Sequence, residues 1–150
     1  MGKNRDKSAS TGMETLTTYK QRGEWVELLF MTRAAKRGFI VSKPWGDSAR
    51  YDVGIERAGR FKRVQVKGTD RHEGSGYSCM LTSRGKDYTA KEIDYFAIYI
   101  LDYDTWYIFP ARRLAGQGSV MLSPDWEESV HWRYKEAWGL LDRRRATGPS

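Results

Sequence analysis

The sequence predicts an α/β fold in which a mixed β-sheet is flanked by helices. Residues 19–38 carry apolar side chains at three- and four-residue steps, as in a helix that packs on one side. β-forming runs separated by turn residues follow, and a second helical pattern occupies residues 123–144. Because helices precede and follow the strands, we expect helices packed on a sheet, and a chain of 150 residues fits one core.

Each element has a local signal. The first helix is expected to end at Gly38, which follows two basic residues, and to bury Trp25, Leu28, Leu29 and Ala35. Ser123 and Pro124 have the residue types of a helix start. Capping-box spacing at residues 89–92 predicts a short helical turn. The predicted strands are residues 39–42, 51–56, 61–67, 77–82, 95–101 and 106–109, with a Gly-rich loop at 68–76.

Composition narrows the class of protein. The formal net charge is +7, which favours a polyanionic partner because cationic contacts to phosphate release counterions. The single cysteine, Cys79, excludes an internal disulfide framework and a cysteine zinc site, and we expect it to be buried. No apolar run approaches the roughly 18 residues of a membrane span. The polar start lacks the pattern of a secretory signal, so we expect a cytoplasmic protein. The expected organisation is a disordered tail at 1–15, one domain at 16–145 and a C-terminal tail at 146–150.

Two neighbouring predicted strands carry a polar constellation. Gln65 and Lys67 are two residues apart and therefore project from one face of a strand, while Val66 points to the other face. Asp52 lies at the start of the preceding strand and would meet them across a hairpin. A carboxylate, an amide and an ammonium together suit a magnesium site that hydrolyses phosphodiesters. The alternative is a cross-strand ion pair between Asp52 and Lys67, with Gln65 in solvent.

Several motifs occur in order around this constellation. Gly23 and Glu27 form a GxxxE helix motif, Gly38-Phe39 leads into a strand, and Tyr51-Asp52 and Gln65-Val66-Lys67 follow. The later segment IDYFAIYILDYDTWYIFPARRL adds a strand, a turn and a strand. This order resembles the PD-(D/E)XK nuclease superfamily, and more narrowly its branch of group I intron homing endonucleases and archaeal Holliday junction resolvase-like nucleases. The resemblance covers residues 19–114 and, more weakly, 134–141.

The resemblance implies a restriction-endonuclease-like fold and an Mg²⁺-dependent DNA endonuclease, with Mn²⁺ able to substitute and with 5′-phosphate and 3′-hydroxyl products. Asp52 would be the principal metal ligand, and Gln65 occupies the position more often held by Glu or Asp. Lys67 would be the catalytic lysine. Glu27 would complete the metal site from the helix, and Val66 would contribute its backbone carbonyl. The resemblance also implies a homodimer or a higher homo-oligomer.

Two departures from the motif matter to different degrees. Tyr51 replaces a proline, which leaves the chemistry unchanged. Gln65 offers a neutral oxygen that binds Mg²⁺ more weakly than a carboxylate, so a non-catalytic DNA-binding module with the same fold is the alternative function. A basic adaptor for RNA or protein is a third reading of the charge.

Some single residues have competing interpretations. Glu24 competes with Glu27 for the helix position, and Glu56 shares a strand face with Asp52. His72 follows the site and is either a functional residue, as a base or a phosphate contact, or a surface loop residue. Cationic and hydroxyl side chains near the site in sequence are expected to contact the DNA backbone. These are Arg50, Lys62, Thr69, Arg71, Arg84 and Lys86.

Overall fold

The central element of the fold is a five-stranded sheet with the order β1-β2-β3-β6-β7. Neighbouring strands are antiparallel except β3 and β6, which are parallel, so the prediction of a mixed sheet is confirmed. The computed structural model describes residues 18–143. The strands are β1 Ile40–Ser42, β2 Val53–Arg57, β3 Arg60–Thr69, β4 His72–Glu73, β5 Gly76–Met80, β6 Tyr95–Ile100, β7 Thr105–Pro110 and β8 Ser119–Leu122. The α-helices are α1 Tyr19–Lys36 and α2 Ala111–Leu114, and 3₁₀ turns cover Leu101–Tyr103, Trp132–Tyr134 and Trp138–Asp142.

Helix α1 begins and ends on local signals. The Thr18 hydroxyl accepts a hydrogen bond from the Gln21 amide at 3.1 Å and so satisfies one of the free donors of the first turn. Gly38 follows the helix with φ +93°, a conformation that favours glycine. The predicted helix is confirmed, but its predicted face is wrong by about one position. The buried side chains are Val26, Phe30 and Ala34, whereas Leu28 is exposed.

The central sheet is covered differently on its two faces. Helix α1 packs on one face, where Val64 and Val66 of β3 join its apolar side chains. The other face packs against a second, three-stranded sheet of order β4-β5-β8. The strand predicted at residues 77–82 therefore belongs to this second sheet and not to the central one. Cys79 is buried there, as expected.

The long C-terminal helix predicted at residues 123–144 is wrong. Glu136 has φ +51°, which no α-helix contains, and its amide donates to the Trp106 carbonyl at 2.7 Å. Its carboxylate accepts from the Trp106 amide at 3.0 Å and from the Trp138 indole N–H at 2.7 Å. This segment thus covers the edge of β7. Its bonds to Trp106 satisfy backbone groups of the strand that would have no partner if the segment were a separate helix.

The predicted tails, residues 1–15 and 146–150, lie outside the described residues. The short turn predicted at 89–92 is present, since the Glu92 amide donates to the Thr89 carbonyl at 3.0 Å. Between residues 18 and 143, no helix is both long and apolar enough to cross a bilayer.

Candidate active site

Asp52 is held at the start of β2 by the backbone of β3. Its amide donates to the Val64 carbonyl, and its Oδ2 accepts from the Val66 amide, each at 3.0 Å. The hairpin register, with Val53 opposite Val64, therefore brings the carboxylate beside the QVK segment. One carboxylate oxygen is occupied by the backbone, and the arrangement fixes the direction of the other.

Gln65 is buried, with 5% of its surface exposed. Among the side chains of residues 18–143, its Oε1 is one of two buried polar atoms without a hydrogen-bond partner. An unsatisfied buried carbonyl oxygen costs about 1–3 kcal/mol, so such atoms are rare in folded proteins. The oxygen is therefore available to a ligand that accepts its lone pairs.

Lys67 projects from the same face of β3 as Gln65. Its Nζ donates to the Thr82 carbonyl at 3.4 Å and lies 5.4 Å from the ring centroid of Tyr88. Burial lowers the pKa of this ammonium, while the nearby charge of Asp52 acts in the opposite direction. The lysine is thus held by a surrounding loop and lies within electrostatic range of Asp52.

Glu27 reaches the site from α1. Gly68 of β3 lets the helix approach closely, because a Cβ at that position would lie 3.0 Å from Val26 Cγ2. Glu27 Oε2 pairs with Lys43 Nζ at 2.5 Å. Burial raises the pKa of Asp52 to about 7, and the like charge of Glu27 contributes to the same rise. The two carboxylates are therefore close enough to repel each other.

Two cavities meet at this centre. One, of about 320 Å³, lies on the α1 side and is lined by Arg22, Gly23 and Glu27. The other, of about 640 Å³, lies towards the loop of residues 82–92. Both are lined by the same three side chains, Asp52, Gln65 and Lys67. The centre is therefore open from two sides.

The ion-pair interpretation of Asp52 and Lys67 is wrong in this structure. The ion pairs of residues 18–143 do not join these two side chains, and Gln65 is buried and not in solvent. Two carboxylates that repel each other and an unpartnered amide oxygen fit a divalent cation, which prefers oxygen ligands. The described chain contains no group of three or more His, Cys, Asp or Glu suited to a metal, so the amide of Gln65 and the carbonyl of Val66 would have to complete the set.

A sequence model of the PD-(D/E)XK endonuclease family matches residues 17–140. The chain belongs to this family. No curated protein matches it. A bacterial homing endonuclease, I-Ssp6803I, superimposes with a TM-score of 0.71 at 26% identity, over 83% of this chain and 91% of that one. The Holliday junction resolvase Hjc of Archaeoglobus fulgidus gives a TM-score of 0.51 at 14% identity, over 67% and 84% of the two chains. The fold is the restriction-endonuclease-like α/β fold predicted.

Two expected DNA contacts of this PD-(D/E)XK chain require correction. Lys62 is buried, and its Nζ donates to the Leu141 and Arg143 carbonyls, because it projects from the α1 face of β3 towards the last 3₁₀ turn. Thr69 is buried as well, and its hydroxyl donates to the Ser78 carbonyl at 2.6 Å. Neither side chain is presented to a phosphate backbone.

The remaining expected contacts lie near the larger cavity or on the surface. Arg84 and Lys86 are exposed and line that cavity, and Arg71 is exposed beyond the end of β3. Arg50 also lines the cavity, but its guanidinium bonds to Glu92 at 2.6 Å. Arg50 therefore has a structural partner that sequence spacing does not indicate.

The structure decides between the residues that had competing interpretations, because they lie at different distances from the site. Glu24 is exposed and does not line either cavity, which leaves Glu27 as the helix carboxylate at the site. Glu56 pairs in register with Phe61, at the far end of the hairpin from Asp52. His72 lies 2.8 Å from the Tyr77 hydroxyl, on β4. Within the family's motif, the structure thus brings together the four predicted catalytic residues and leaves these three outside.

Three residues next to the site were not predicted from the sequence. Lys43 forms an ion pair with Glu27, Tyr88 contacts Lys67, and Arg22 lines the smaller cavity while it pairs with Asp70 at 3.0 Å. Lys43 lies in a connection and Tyr88 in a loop. Their spacing from the motifs is set by the fold, so a single sequence contains no signal for them.

Proposed function

We propose that this chain is an Mg²⁺-dependent DNA endonuclease whose metal is held by Asp52, Gln65 and Glu27 and by the carbonyl of Val66. The observation that carries the proposal is the buried Gln65 Oε1, which has no partner among the described residues and faces the same centre as Asp52. Family membership supports nuclease chemistry, and the net charge of +7 supports a polyanionic substrate.

The residues divide the work between binding and orientation. A bound divalent cation supplies an activated water and neutralises charge on the phosphate. Asp52, which is held by the Val66 amide, would bind the metal in a defined position. Lys67 would donate hydrogen bonds to the phosphate oxygen or to the attacking water, where its charge is most stabilising in the transition state. The similarity to a homing endonuclease and a resolvase supports DNA as the substrate and does not choose between a linear and a branched form.

A second candidate is a DNA-binding module that does not cleave. The neutral amide of Gln65 favours it, because two carboxylates bind Mg²⁺ more weakly than three. Such a module would bind DNA with a steep salt dependence and without a requirement for a divalent metal. It would keep the family's fold and its basic surface.

The test is a cleavage assay on linear, branched and single-stranded DNA with Mg²⁺ and with EDTA. We expect cleavage of at least one substrate by the wild type in Mg²⁺ only. The variants Asp52→Ala and Lys67→Ala should lose at least about 100-fold in rate, since each removes a group that acts in the transition state. Metal-independent binding with no cleavage of any substrate would favour the second candidate. Cleavage that both variants retain would overturn the proposed site.

A separate experiment addresses assembly. The resemblance predicts a homodimer or a larger homo-oligomer, and two sites acting together would be needed to cut both strands of a duplex. Sedimentation with and without DNA measures this directly. A monomer that only nicks duplex DNA would contradict the expected assembly and leave the site itself untouched.

A further inference from the structure

The ammonium of Lys67 is contacted by a segment that we call the lysine arm, defined as residues 82–92. The Thr82 carbonyl accepts from Lys67 Nζ at 3.4 Å, and the ring centroid of Tyr88 lies 5.4 Å from the same atom. Tyr88 is buried, with 5% of its surface exposed. A lysine side chain has four flexible carbons, so its charged end has no fixed position without such contacts.

Tyr88 is itself held in place, by an edge-to-face contact with Phe96 in the core and, from the side of the hairpin, by Arg50. The Arg50 Cζ lies 4.2 Å from the Tyr88 ring centroid, a cation–π distance. The guanidinium also bonds to the Glu92 carboxylate at 2.6 Å and to the Asp87 carbonyl at 2.8 Å. Arg50 therefore connects the start of the β2–β3 hairpin to both sides of Tyr88 in the arm.

The tip of the arm is a tight turn. Ser83 and Lys86 exchange two backbone hydrogen bonds of 3.0 Å, and Arg84 and Gly85 both have positive φ, at +52° and +74°. Positive φ at both central residues is the geometry of a type I′ turn. A non-glycine residue in this region costs free energy that the surrounding contacts must offset. The turn holds Arg84 and Lys86 at the mouth of the larger cavity.

We infer that Tyr88 and Arg50 are positioning residues for hydrolysis: Tyr88 fixes the ammonium of Lys67, and Arg50 fixes Tyr88. The inference rests on the proposed function of Lys67. Neither residue is among those proposed to bind the metal or to donate to the phosphate. Their effect is expected in kcat, because a displacement of about 1 Å in a catalytic group costs as much as 100-fold in rate.

The kinetic experiment compares a conservative and a disruptive change at Tyr88. Tyr88→Phe keeps the ring and should keep kcat within about twofold, whereas Tyr88→Leu removes the ring and should lower kcat about 10-fold with KM nearly unchanged. Arg50→Met leaves the core intact and should give a smaller loss in kcat. Arg113→Met, an exposed arginine on α2, is the matched control and should behave as wild type.

A second measurement does not need activity. In protein labelled with ¹³C-lysine, the Lys67 CεHε signal, assigned by its loss in Lys67→Met, should lie upfield of the other lysines because of the Tyr88 ring. It should move to the ordinary lysine position in Tyr88→Leu and partly in Arg50→Met, and stay in Tyr88→Phe. A Lys67 signal that is unchanged in Tyr88→Leu overturns the inference, as does equal loss of kcat in the Phe and Leu variants.

The two proposals fail in different ways. A wild type that cleaves no DNA overturns the proposed function, and the lysine signals still decide whether Tyr88 and Arg50 fix the ammonium. Cleavage that depends on Lys67 but is unaffected by both Tyr88→Leu and Arg50→Met overturns the positioning role alone. If circular dichroism shows that Tyr88→Leu is unfolded, the test uses Arg50→Met alone. A kcat and a Lys67 signal that both equal those of the wild type in Arg50→Met would overturn the positioning role.

Discussion

The two cavities that meet at Asp52 differ in size and in construction. The α1-side cavity is lined by Glu27, which has one cationic partner, Lys43, and it holds the two mutually repelling carboxylates. The arm-side cavity is twice as large, and its lining holds the exposed cations Arg84 and Lys86 together with the acids Asp47, Asp87 and Glu92. The α1 side thus brings together the two carboxylates that suit a small hard cation, and the arm side presents two exposed cations that can contact DNA phosphates.

The difference shows how one centre can assign metal binding and DNA binding to different elements of the fold. The carboxylate side is built on α1 and the β2–β3 hairpin, and the backbone of β3 fixes Asp52 directly. The arm side is built on a loop, which reaches Lys67 through Thr82 and Tyr88. Metal binding should therefore depend on the hairpin, and binding of the DNA strand should depend on the loop.

The largest effect is expected on the carboxylate side. Glu27→Gln removes one of two carboxylates and should lower the cleavage rate at fixed Mg²⁺ by about 100-fold, mostly through weaker metal binding. Glu24→Gln, one turn earlier and exposed, is the matched control and should leave the rate unchanged. A loss in the control variant with none in Glu27→Gln would reverse the assignment of the helix carboxylate.

A second prediction concerns stability without metal. The pKa of Asp52 is raised from 3.8 to about 7 in the folded state, so folding binds a proton that the unfolded chain releases. Stability is therefore lost as pH rises from about 4 to about 7. Asp52→Asn should raise the free energy of unfolding by about 2 kcal/mol at pH 8 in EDTA, and by nothing at pH 3. Urea unfolding at both pH values measures this.

The control for that measurement is Asp47→Asn. Asp47 is an exposed carboxylate in the connection that precedes Asp52, and its replacement should change stability by less than about 0.5 kcal/mol. A wild type that is more stable than Asp52→Asn at pH 8 would show that the Asp52 carboxylate is satisfied in the free protein.

The smallest effect is expected on the arm side. Lys86→Met should weaken DNA binding only a few-fold and reduce the salt slope of the binding constant by about 0.9, as expected for one phosphate contact. Lys62→Met should leave the salt slope unchanged and instead lower stability by about 1–3 kcal/mol, because the buried Leu141 carbonyl and the partly buried Arg143 carbonyl lose their donor. An unchanged salt slope in Lys86→Met would contradict the phosphate contact of Lys86. A reduced salt slope in Lys62→Met would contradict the purely structural role of Lys62.

The sequence predicted the parts of the site that obey strand periodicity. Alternation placed Gln65 and Lys67 on one face and Val66 on the other, and the β2–β3 register then placed Asp52 beside them. Glu27 followed from the order of the family's motifs and not from helical periodicity, which placed the apolar face about one position away. Local patterns therefore predict the position of a side chain well when the element that carries it pairs with an element that is adjacent in sequence.

The failures share a physical cause, which is tertiary pairing. Tyr134, Trp138 and Leu141 are buried as a helical pattern predicts, yet Glu136 pairs with Trp106 and draws the segment along β7. Lys62 looked like a DNA contact because it is a lysine near the site in sequence. Strand alternation placed it on the opposite face from Lys67, where a C-terminal turn uses its charge.

The most direct test of the central claim is calorimetric titration of Mn²⁺ into the wild type and Asp52→Asn. A metal site built on Asp52, Gln65 and Glu27 predicts saturable binding to the wild type that is lost in Asp52→Asn, with both proteins equally folded by circular dichroism. Absence of saturable binding to the wild type, or equal binding by the two proteins, would contradict the assignment of this centre as a metal site.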